Sequence, residues 1–289
     1  MTITGYSTAL FSTWYFVEEL GLLFDVGDGL MSNLLQKSRK IKHAFITHPD
    51  RDHLTGLMQF TQLNAREGYP KIYYPKDCGS FPAIANFLSK FDPHTTYCRW
   101  LPLSEGEEVP IKKDILVKAI RNEHIQREGN PTKSLSFQVF QTRRKLKPEL
   151  QGLTGKEIGQ LRKDKGNDAV TDEIRDYLLA YSGDTPVEHD GRWNGVKTLI
   201  HEATFIYKGD MDRHGERNQH SELEDVLKMV SETQVEQLIL GHFSSRYNAE
   251  EIKTQIRALS KKYKLELPIY AVLPGKTSRN ILNTTPVNQ

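Results

Sequence analysis

The sequence contains only two cysteines, Cys78 and Cys98, among its 289 residues. Two thiols are too few for a disulfide framework or a thiolate metal cluster, and this scarcity is typical of a protein in a reducing compartment. We expect the two cysteines to lie in the core. Any metal site must then use nitrogen and oxygen ligands.

Long apolar runs are also missing. No stretch reaches the roughly 18 apolar residues that a membrane-spanning helix needs, and the N-terminus lacks the basic start and apolar block of a signal peptide. The net charge of +2 is too close to neutral to indicate a nucleic-acid or membrane partner by itself. We therefore expect a soluble, cytoplasmic protein with no membrane partner, in which any basic patch is local.

Linkers rich in proline, glycine or serine are absent as well, so residues 1–289 are predicted to form a single domain. The first 50 residues and several later segments have the short apolar pattern of strands. Helical patterns follow in "SELEDVLKMVSET" and "NAEEIKTQIRALSKKY". A strand-rich first part followed by alternating strands and helices predicts a layered α/β fold with its site at strand ends.

Several predicted strands end in side chains that bind metals. The stretch "FITHPDRDHLTGL" places two histidines and two aspartates within six positions after an apolar run, and three later strands end in the same way. The candidates are His48, Asp50, Asp52, His53, Asp184, His201, Glu202 and His242. A polar turn whose aspartate caps the next helix is the alternative interpretation of "HPDRDH", but the recurrence at strand ends favours a metal site.

Imidazole and carboxylate groups suit a divalent ion such as zinc. Two such ions can share a carboxylate and activate a water between them, which suits hydrolysis of a phosphodiester, amide or thioester. Four other histidines are predicted to be helix caps or hydrogen-bonded surface groups instead. They are His43, His94, His189 and His214.

These motifs resemble a known family. "THPDRDHLTGL" is similar to the metallo-β-lactamase superfamily signature, and "YSGDT", "HEATF", "HSE" and "GHFSSRY" in this order resemble ribonuclease Z, the endonuclease that trims tRNA 3′ trailers. The match runs from about Leu22 to Tyr247. It implies a four-layer αββα metallo-β-lactamase fold, hydrolysis of a phosphodiester in a tRNA precursor, and a homodimer.

The resemblance also implies roles for individual residues. One divalent ion is expected on His48, Asp50 and His124, a second on Asp52, His53 and His242, and Asp184 is expected to bridge them. Asp52 is in addition the candidate base. The resemblance pairs Glu202 with His220 on the leaving-group side, where a polarised imidazole suits proton donation. The planar guanidinium of Arg246 suits a phosphate oxygen.

The sequence departs from the family pattern at two places near this site. Asp50 replaces the second histidine of the signature, and a carboxylate is a harder ligand than imidazole, so manganese is an alternative to zinc. The family's Gly-rich opening turn and "GEGT"-type residues are replaced by "TGYSTALFSTW" and "FDVGDGL". The surface that faces the acceptor end of a tRNA is therefore expected to differ.

A basic insertion at about 141–172 lies where many bacterial ribonucleases Z carry a flexible tRNA-gripping arm. Its clustered cations are Arg143, Arg144, Lys145, Lys147, Arg162, Lys163 and Lys165. Such clusters neutralise phosphates, so the insertion is predicted to bind RNA. A solvated charged loop is the alternative.

Two other functions compete with trailer removal. The first is a phosphodiesterase of the same fold that acts on a small nucleotide or cyclic nucleotide, since the ordered motifs are shared. The second is a metal-bearing RNA-binding protein with little or no catalysis. The presence of Asp52, Glu202 and His220 is evidence against this last alternative, because binding alone does not need them.

Overall fold

A computed structural model describes residues 1–211 and 219–289. Its first sheet has six strands in the order β1 to β6. They are β1 (Ile3–Thr8), β2 (Ser12–Val17), β3 (Leu22–Phe24), β4 (His43–Phe45), β5 (Lys71–Pro75) and β6 (Arg99–Leu103). The first three strands are antiparallel, and β3 to β6 are parallel.

The second sheet has seven strands in the order β13 to β7. They are β7 (Glu108–Lys112), β8 (Ile115–Arg121), β9 (Leu135–Leu146), β10 (Thr171–Tyr181), β11 (Thr198–Glu202), β12 (Gln237–Gly241) and β13 (Ile269–Ala271). Strands β10 to β13 are parallel and β7 to β10 antiparallel. In each sheet the parallel half brings several strand ends to one edge.

The described part of the chain has seven α-helices. They are α1 (Leu30–Leu34), α2 (Arg51–Leu54), α3 (Leu57–Asn64), α4 (Ser80–Phe91), α5 (Gly155–Lys165), α6 (Leu223–Ser231) and α7 (Ala249–Lys262). Helix α6 shows why they form where they do: Leu223, Val226, Leu227 and Val230 recur at helical spacing and are all buried. None of these seven helices is long and apolar enough to cross a bilayer.

Three apolar cores separate four layers. Phe24 and Phe45 from the first sheet meet Phe137 of the second, with ring centres 5.9 Å and 5.2 Å apart. A second core joins the first sheet to α1, α3 and α4, and a third joins the second sheet to α6 and α7. The predicted αββα architecture is therefore confirmed. Both cysteines are buried in the second of these cores, as expected.

The central strands are buried on both faces, which explains their near-continuous apolar sequences. In β11, Leu199 packs toward the helices and Ile200 into the core between the sheets. Alternation then directs His201 to the helix side and Glu202 to the inter-sheet side. The side chains that follow such strands are consequently positioned by well-packed, buried backbone.

The basic insertion is an extension of the second sheet. Strand β8 stops pairing with β9 at Gln141, whereas β9 and β10 continue together from Gln141–Asp176 to Leu146–Thr171. Helix α5 lies between these two strands in sequence. It begins at a capping box of Thr154 and Glu157, and none of its residues is buried. We call this β9–β10 ribbon with α5 the arm.

Candidate metal centre

The candidate ligands come together at one edge, between the two sheets. His48 follows β4, His124 follows β8, Asp184 follows β10 and His242 follows β12. The turn before Asp184 requires glycine, because Gly183 has φ +60° and a Cβ there would lie 2.7 Å from Thr47 Cγ2. The end of one sheet therefore approaches the other closely enough for their side chains to meet.

The first cluster combines His48, His124, Asp50 and Asp184. Asp50 Oδ2 lies 3.6 Å from His48 Nε2 and 3.5 Å from His124 Nε2. Asp184 Oδ2 lies 3.6 Å from His48 Nε2. The His48, His124 and Asp184 side chains are buried, whereas the Asp50 side chain is 38% exposed. This cluster is therefore open to solvent on the Asp50 side.

The second cluster combines Asp52, His53, Asp184 and His242. Asp184 Oδ2 lies 3.2 Å from His53 Nε2 and 3.3 Å from His242 Nε2. Asp52 Oδ2 lies 3.4 Å and 3.1 Å from the same two nitrogens. One oxygen of Asp184 thus faces the imidazoles of both clusters, as a shared ligand must.

Hydrogen bonds orient the four imidazoles through their Nδ1 atoms. His53 Nδ1 donates to Asp25 Oδ2 at 2.8 Å, and His124 Nδ1 donates to the Gln219 carbonyl at 2.9 Å. His48 Nδ1 donates at 2.9 Å to Thr47 Oγ1, which in turn donates to Asp25. Each ring is fixed in the tautomer that leaves a lone pair on Nε2.

Threonine acts in the same way at the remaining imidazole. His242 Nδ1 donates to Thr204 Oγ1 at 2.9 Å, and this hydroxyl donates to Glu202 Oε2 at 2.6 Å. His242 itself has a left-handed φ of 58°, which its backbone N–H bond to Ser7 Oγ at 2.8 Å helps to hold. Hydrogen bonds therefore hold both the ring and the backbone of His242 in place.

The Nε2 atoms of His48, His53 and His124 are buried and receive no hydrogen bond within the described residues. An orphaned buried nitrogen is unfavourable unless something binds it. Three such nitrogens converge on carboxylate oxygens, in a donor set of imidazole and carboxylate that divalent ions accept. These residues therefore fit a metal pair.

The electrostatics agree with this fit. Burial acts to raise the pKa of Asp52 and Asp184, but the neighbouring imidazoles outweigh burial and hold both pKa values below the usual range. Burial acts to lower the pKa of His53, yet Asp184 and Asp25 raise it well above its ordinary value. The pocket consequently attracts positive charge strongly.

A carboxylate–imidazole pair lies beside the second cluster. His220 Nδ1 donates to Glu202 Oε1 at 2.9 Å and lies 4.0 Å from Asp184 Oδ2. Burial acts to lower the pKa of His220, but the Glu202 carboxylate raises it to about 9. The imidazole of His220 is thus protonated near neutral pH and has a second N–H available.

Arg246 lies outside the clusters, on the surface. Its guanidinium carbon is 5.7 Å from the centre of the Phe205 ring, and the centres of the Phe205 and His220 rings are 6.3 Å apart with their planes at 80°. His201, the other strand-end candidate, is directed away from the clusters. It is buried with its ring against Trp193, and its Nδ1 donates to the Glu202 carbonyl at 2.7 Å.

The prediction for the four remaining histidines is wrong for one of them. His43 is 4% exposed and stacks on Tyr73 at 6.1 Å, because it begins a central strand rather than ending one. His94 and His189 are exposed, as expected. His214 lies outside the described residues.

Sequence reasoning missed Asp25. This carboxylate is fully buried and accepts hydrogen bonds from His53 Nδ1, Thr47 Oγ1 and the Tyr181 hydroxyl. The available signal was an acidic residue directly after the apolar run "LGLLF", the same pattern that identified the ligands. Asp25 supports the ligands without facing the clusters itself.

The chain is similar in sequence to several ribonucleases Z. It is 31% identical to the ribonuclease Z of Methanocaldococcus jannaschii, over 83% of this chain and 82% of that protein. It is 28% identical to the chloroplastic tRNase Z of Arabidopsis thaliana, over 90% of this chain and 72% of that protein. No protein-family model matches the chain.

Solved structures share its architecture. A metallo-β-lactamase fold protein from Bacillus subtilis superposes with a TM-score of 0.65 at 13% identity, covering 96% of this chain and 98% of that one. The short form of human tRNase Z gives a TM-score of 0.59 at 20% identity, covering 85% and 94%. The two sheets and their outer helices therefore form the metallo-β-lactamase fold.

Proposed function

Because the chain belongs to the ribonuclease Z family, we propose that it is an endoribonuclease that hydrolyses the phosphodiester joining a precursor tRNA to its 3′ trailer. One observation carries the proposal: Asp184 Oδ2 lies within 3.6 Å of the Nε2 atoms of His48, His53 and His242. A carboxylate shared between two groups of imidazoles is the ligand geometry of a two-metal hydrolase.

The metal ligands follow from these clusters. His48, Asp50 and His124 would hold one divalent ion, Asp52, His53 and His242 the other, and Asp184 would contact both. Zinc is our first choice and manganese the alternative, since Asp50 adds a hard oxygen ligand. When bound, such ions supply Lewis acidity and lower the pKa of a water molecule.

We assign the base to Asp52. Its Oδ2 lies 3.1 Å from His242 Nε2 and also accepts a hydrogen bond from the Leu10 backbone N–H at 3.1 Å. The carboxylate is ionised near neutral pH, as its lowered pKa indicates. An ionised carboxylate in this position can orient the attacking water and accept its proton.

We assign the leaving-group side to His220. Its Nδ1 is held by Glu202, so the other ring nitrogen can donate a proton to the departing 3′ oxygen of the RNA. The exposed Arg246, one ring away across Phe205, suits a contact with a non-bridging phosphate oxygen. The chain thus offers a base, an acid and an anion contact around the scissile phosphate.

The arm supports a large RNA substrate. Arg143 and Arg144 pair with Asp176 and Asp168, whereas the three cations in the last turn of α5 have no ion pair within the residues described. Those three are Arg162, Lys163 and Lys165. Helix α5 buries none of its residues, so its cations are available to phosphates. We therefore propose that α5 is the RNA-contacting part of the arm.

We also propose the homodimer. Apolar side chains of α3 and α4 are exposed, among them Met58 at 44%, Phe87 at 52% and Phe91 at 58%. Contiguous exposed apolar groups are typical of an association surface. Analytical ultracentrifugation should give a dimer that Phe87→Asp with Phe91→Asp dissociates. A cytoplasmic location stays a prediction from the sequence.

The test is cleavage of a precursor tRNA that carries a 3′ trailer. Metal-stripped protein is supplemented with zinc or manganese, and Asp52→Ala is the control. A cut at the trailer junction that disappears in Asp52→Ala supports the proposal and identifies the working metal. Hydrolysis of bis(p-nitrophenyl) phosphate without a cut in the RNA contradicts it and favours the small-nucleotide phosphodiesterase.

A further inference from the structure

The tip of the β1–β2 hairpin lies against the metal centre. Ala9, Leu10 and Phe11 connect the pair Thr8 and Ser12. The backbone N–H groups of all three residues donate hydrogen bonds. Ala9 donates to the Phe243 carbonyl at 3.2 Å, Leu10 to Asp52 Oδ2 at 3.1 Å, and Phe11 to the Thr8 carbonyl at 3.0 Å. The tip is therefore positioned directly on the proposed base.

The side chains of this tip contribute little to the folded core. Leu10 is 87% exposed and Phe11 is 61% exposed. Leu10 also adopts a left-handed φ of 69°, which is unfavourable for a residue with a branched side chain. The strained backbone of Leu10 and the exposed side chains of Leu10 and Phe11 do not stabilise the monomer. Exposed apolar side chains held in this way are typical of a binding site, so we expect a ligand to contact them.

Phe11 forms one wall of a groove of about 350 Å³. Tyr6 and Thr8 of β1 lie along it, and Pro274 and Lys276 of the segment after β13 form another wall. Lys276 is exposed, and it forms no ion pair with the described residues. The groove thus combines the aromatic ring of Phe11 with the cation of Lys276. Phe11 is the residue next to Leu10, whose backbone N–H donates to Asp52.

We propose that this groove binds an unpaired nucleotide next to the scissile phosphate, with its base stacked on Phe11 and its phosphate near Lys276. Aromatic side chains bind unpaired bases by stacking, whatever the base, and a neighbouring cation contacts the backbone. A protein partner would need a larger apolar surface than this tip offers. The inference rests on the proposed function, because the nucleotide belongs to the RNA that the metal centre cuts.

The turn of the hairpin presents Leu10 and Phe11 to solvent, so the stacking surface is formed by the side chains of the turn itself. It would select substrates by whether the nucleotide at the cleavage junction is unpaired.

The first experiment compares Phe11→Ala and Phe11→Trp in the metal-loaded protein, with Tyr97→Ala as a matched control, since Tyr97 is 53% exposed and does not line the groove. Loss of one stacked base is expected to raise KM for precursor tRNA by roughly 5- to 100-fold in Phe11→Ala. Phe11→Trp and Tyr97→Ala should keep the original KM. Hydrolysis of bis(p-nitrophenyl) phosphate should be equal in all four proteins, which checks that the metal centre is intact.

The second experiment detects stacking directly. Precursor tRNA with 2-aminopurine on either side of the cleavage junction should lose fluorescence on binding the original protein and Phe11→Trp, but not Phe11→Ala. An unchanged KM and unchanged quenching in Phe11→Ala, with the RNA still cut, overturn this inference alone. No RNA cleavage by the original protein overturns the proposed function, and the inference with it.

Discussion

Asp25 Oδ2 accepts a hydrogen bond from His53 Nδ1 at 2.8 Å, and the same oxygen accepts one from the Tyr181 hydroxyl at 2.6 Å. The carboxylate thereby connects a candidate ligand of the first sheet to a strand of the second. Because Thr47 also donates to Asp25 and accepts from His48, one buried group orients imidazoles of both clusters.

We predict that Asp25→Asn weakens metal binding by roughly 10- to 100-fold, because groups that orient ligating histidines have effects of this size. The asparagine amide is uncharged and has one acceptor oxygen in place of two, so it cannot accept from Thr47, His53 and Tyr181 together. Competition with a fluorescent chelator measures the affinity. Asp28→Asn is the matched control, since Asp28 is exposed nearby; equal affinities of the two variants would contradict the role of Asp25.

Asp50 should decide how many metal ions bind and which ones. Asp50→Ala is expected to lose one of two ions, because its Oδ2 faces both His48 and His124. Asp50→His should bind zinc more strongly relative to manganese, as imidazole is the softer ligand. Elemental analysis after dialysis against equal concentrations of both metals measures this, and unchanged stoichiometry in Asp50→Ala would refute the ligand role.

The Glu202–His220 pair should affect turnover rather than metal content. His220→Gln is expected to lower kcat for precursor tRNA by roughly 100- to 10,000-fold, the range of a general acid. Metal content should stay the same, since His220 is assigned no metal ion. His94→Gln, an exposed histidine on the outer surface, is the control. Loss of metal in parallel with activity would make His220 a ligand instead.

The cations of α5 should determine the salt dependence of RNA binding. Replacing Arg162, Lys163 and Lys165 with glutamine is expected to reduce the slope of log affinity against log salt by about 2 to 3, because each phosphate contact contributes nearly one. Binding to precursor tRNA is measured between low and physiological salt. The same exchange at the exposed Lys90, Lys113 and Lys228 is the control, and equal slopes would exclude α5 from the RNA interface.

The stability of the protein should depend on pH through His43. Burial, together with Lys71 and Lys42, lowers the pKa of His43 from 6.5 to about 4. Between these values the unfolded chain binds the extra proton, so the free energy of unfolding falls as the pH drops from 6.5 towards 4.

By pH 5 this loss amounts to about 2 kcal/mol for a single group. Urea unfolding at pH 7 and pH 5 should therefore show a smaller decrease in His43→Phe than in the original protein. The comparison isolates His43, because the two proteins differ only at this position. Equal decreases would mean that His43 is not the group responsible.

The sequence predicted the parts of the site that local pattern determines. An apolar strand followed by a polar side chain can be recognised without tertiary information, and this pattern led to His48, Asp184 and His242. His124 follows the polar "RNE" and was found only through the resemblance. The structure brings these residues together at one edge of the two sheets.

The parts that were missed depend on contacts between distant segments. Nothing near Leu10 in sequence indicates that its N–H binds Asp52, 42 residues away. The cation cluster of the arm is partly neutralised, because Asp176 and Asp168 of the returning segment pair with Arg143 and Arg144. Antiparallel pairing creates these neighbours, and periodicity within one strand cannot reveal them.

Strand β10 runs from the arm to the turn before Asp184, with one irregularity in its pairing with β9 between Tyr177 and Leu179. Its 11 residues, Thr171–Tyr181, extend over roughly 35 Å. The place where RNA is held and the place where it is cut would then lie at the two ends of one strand. Such an enzyme would select its cleavage site by distance along the folded RNA, and it would tolerate wide variation in the trailer sequence itself.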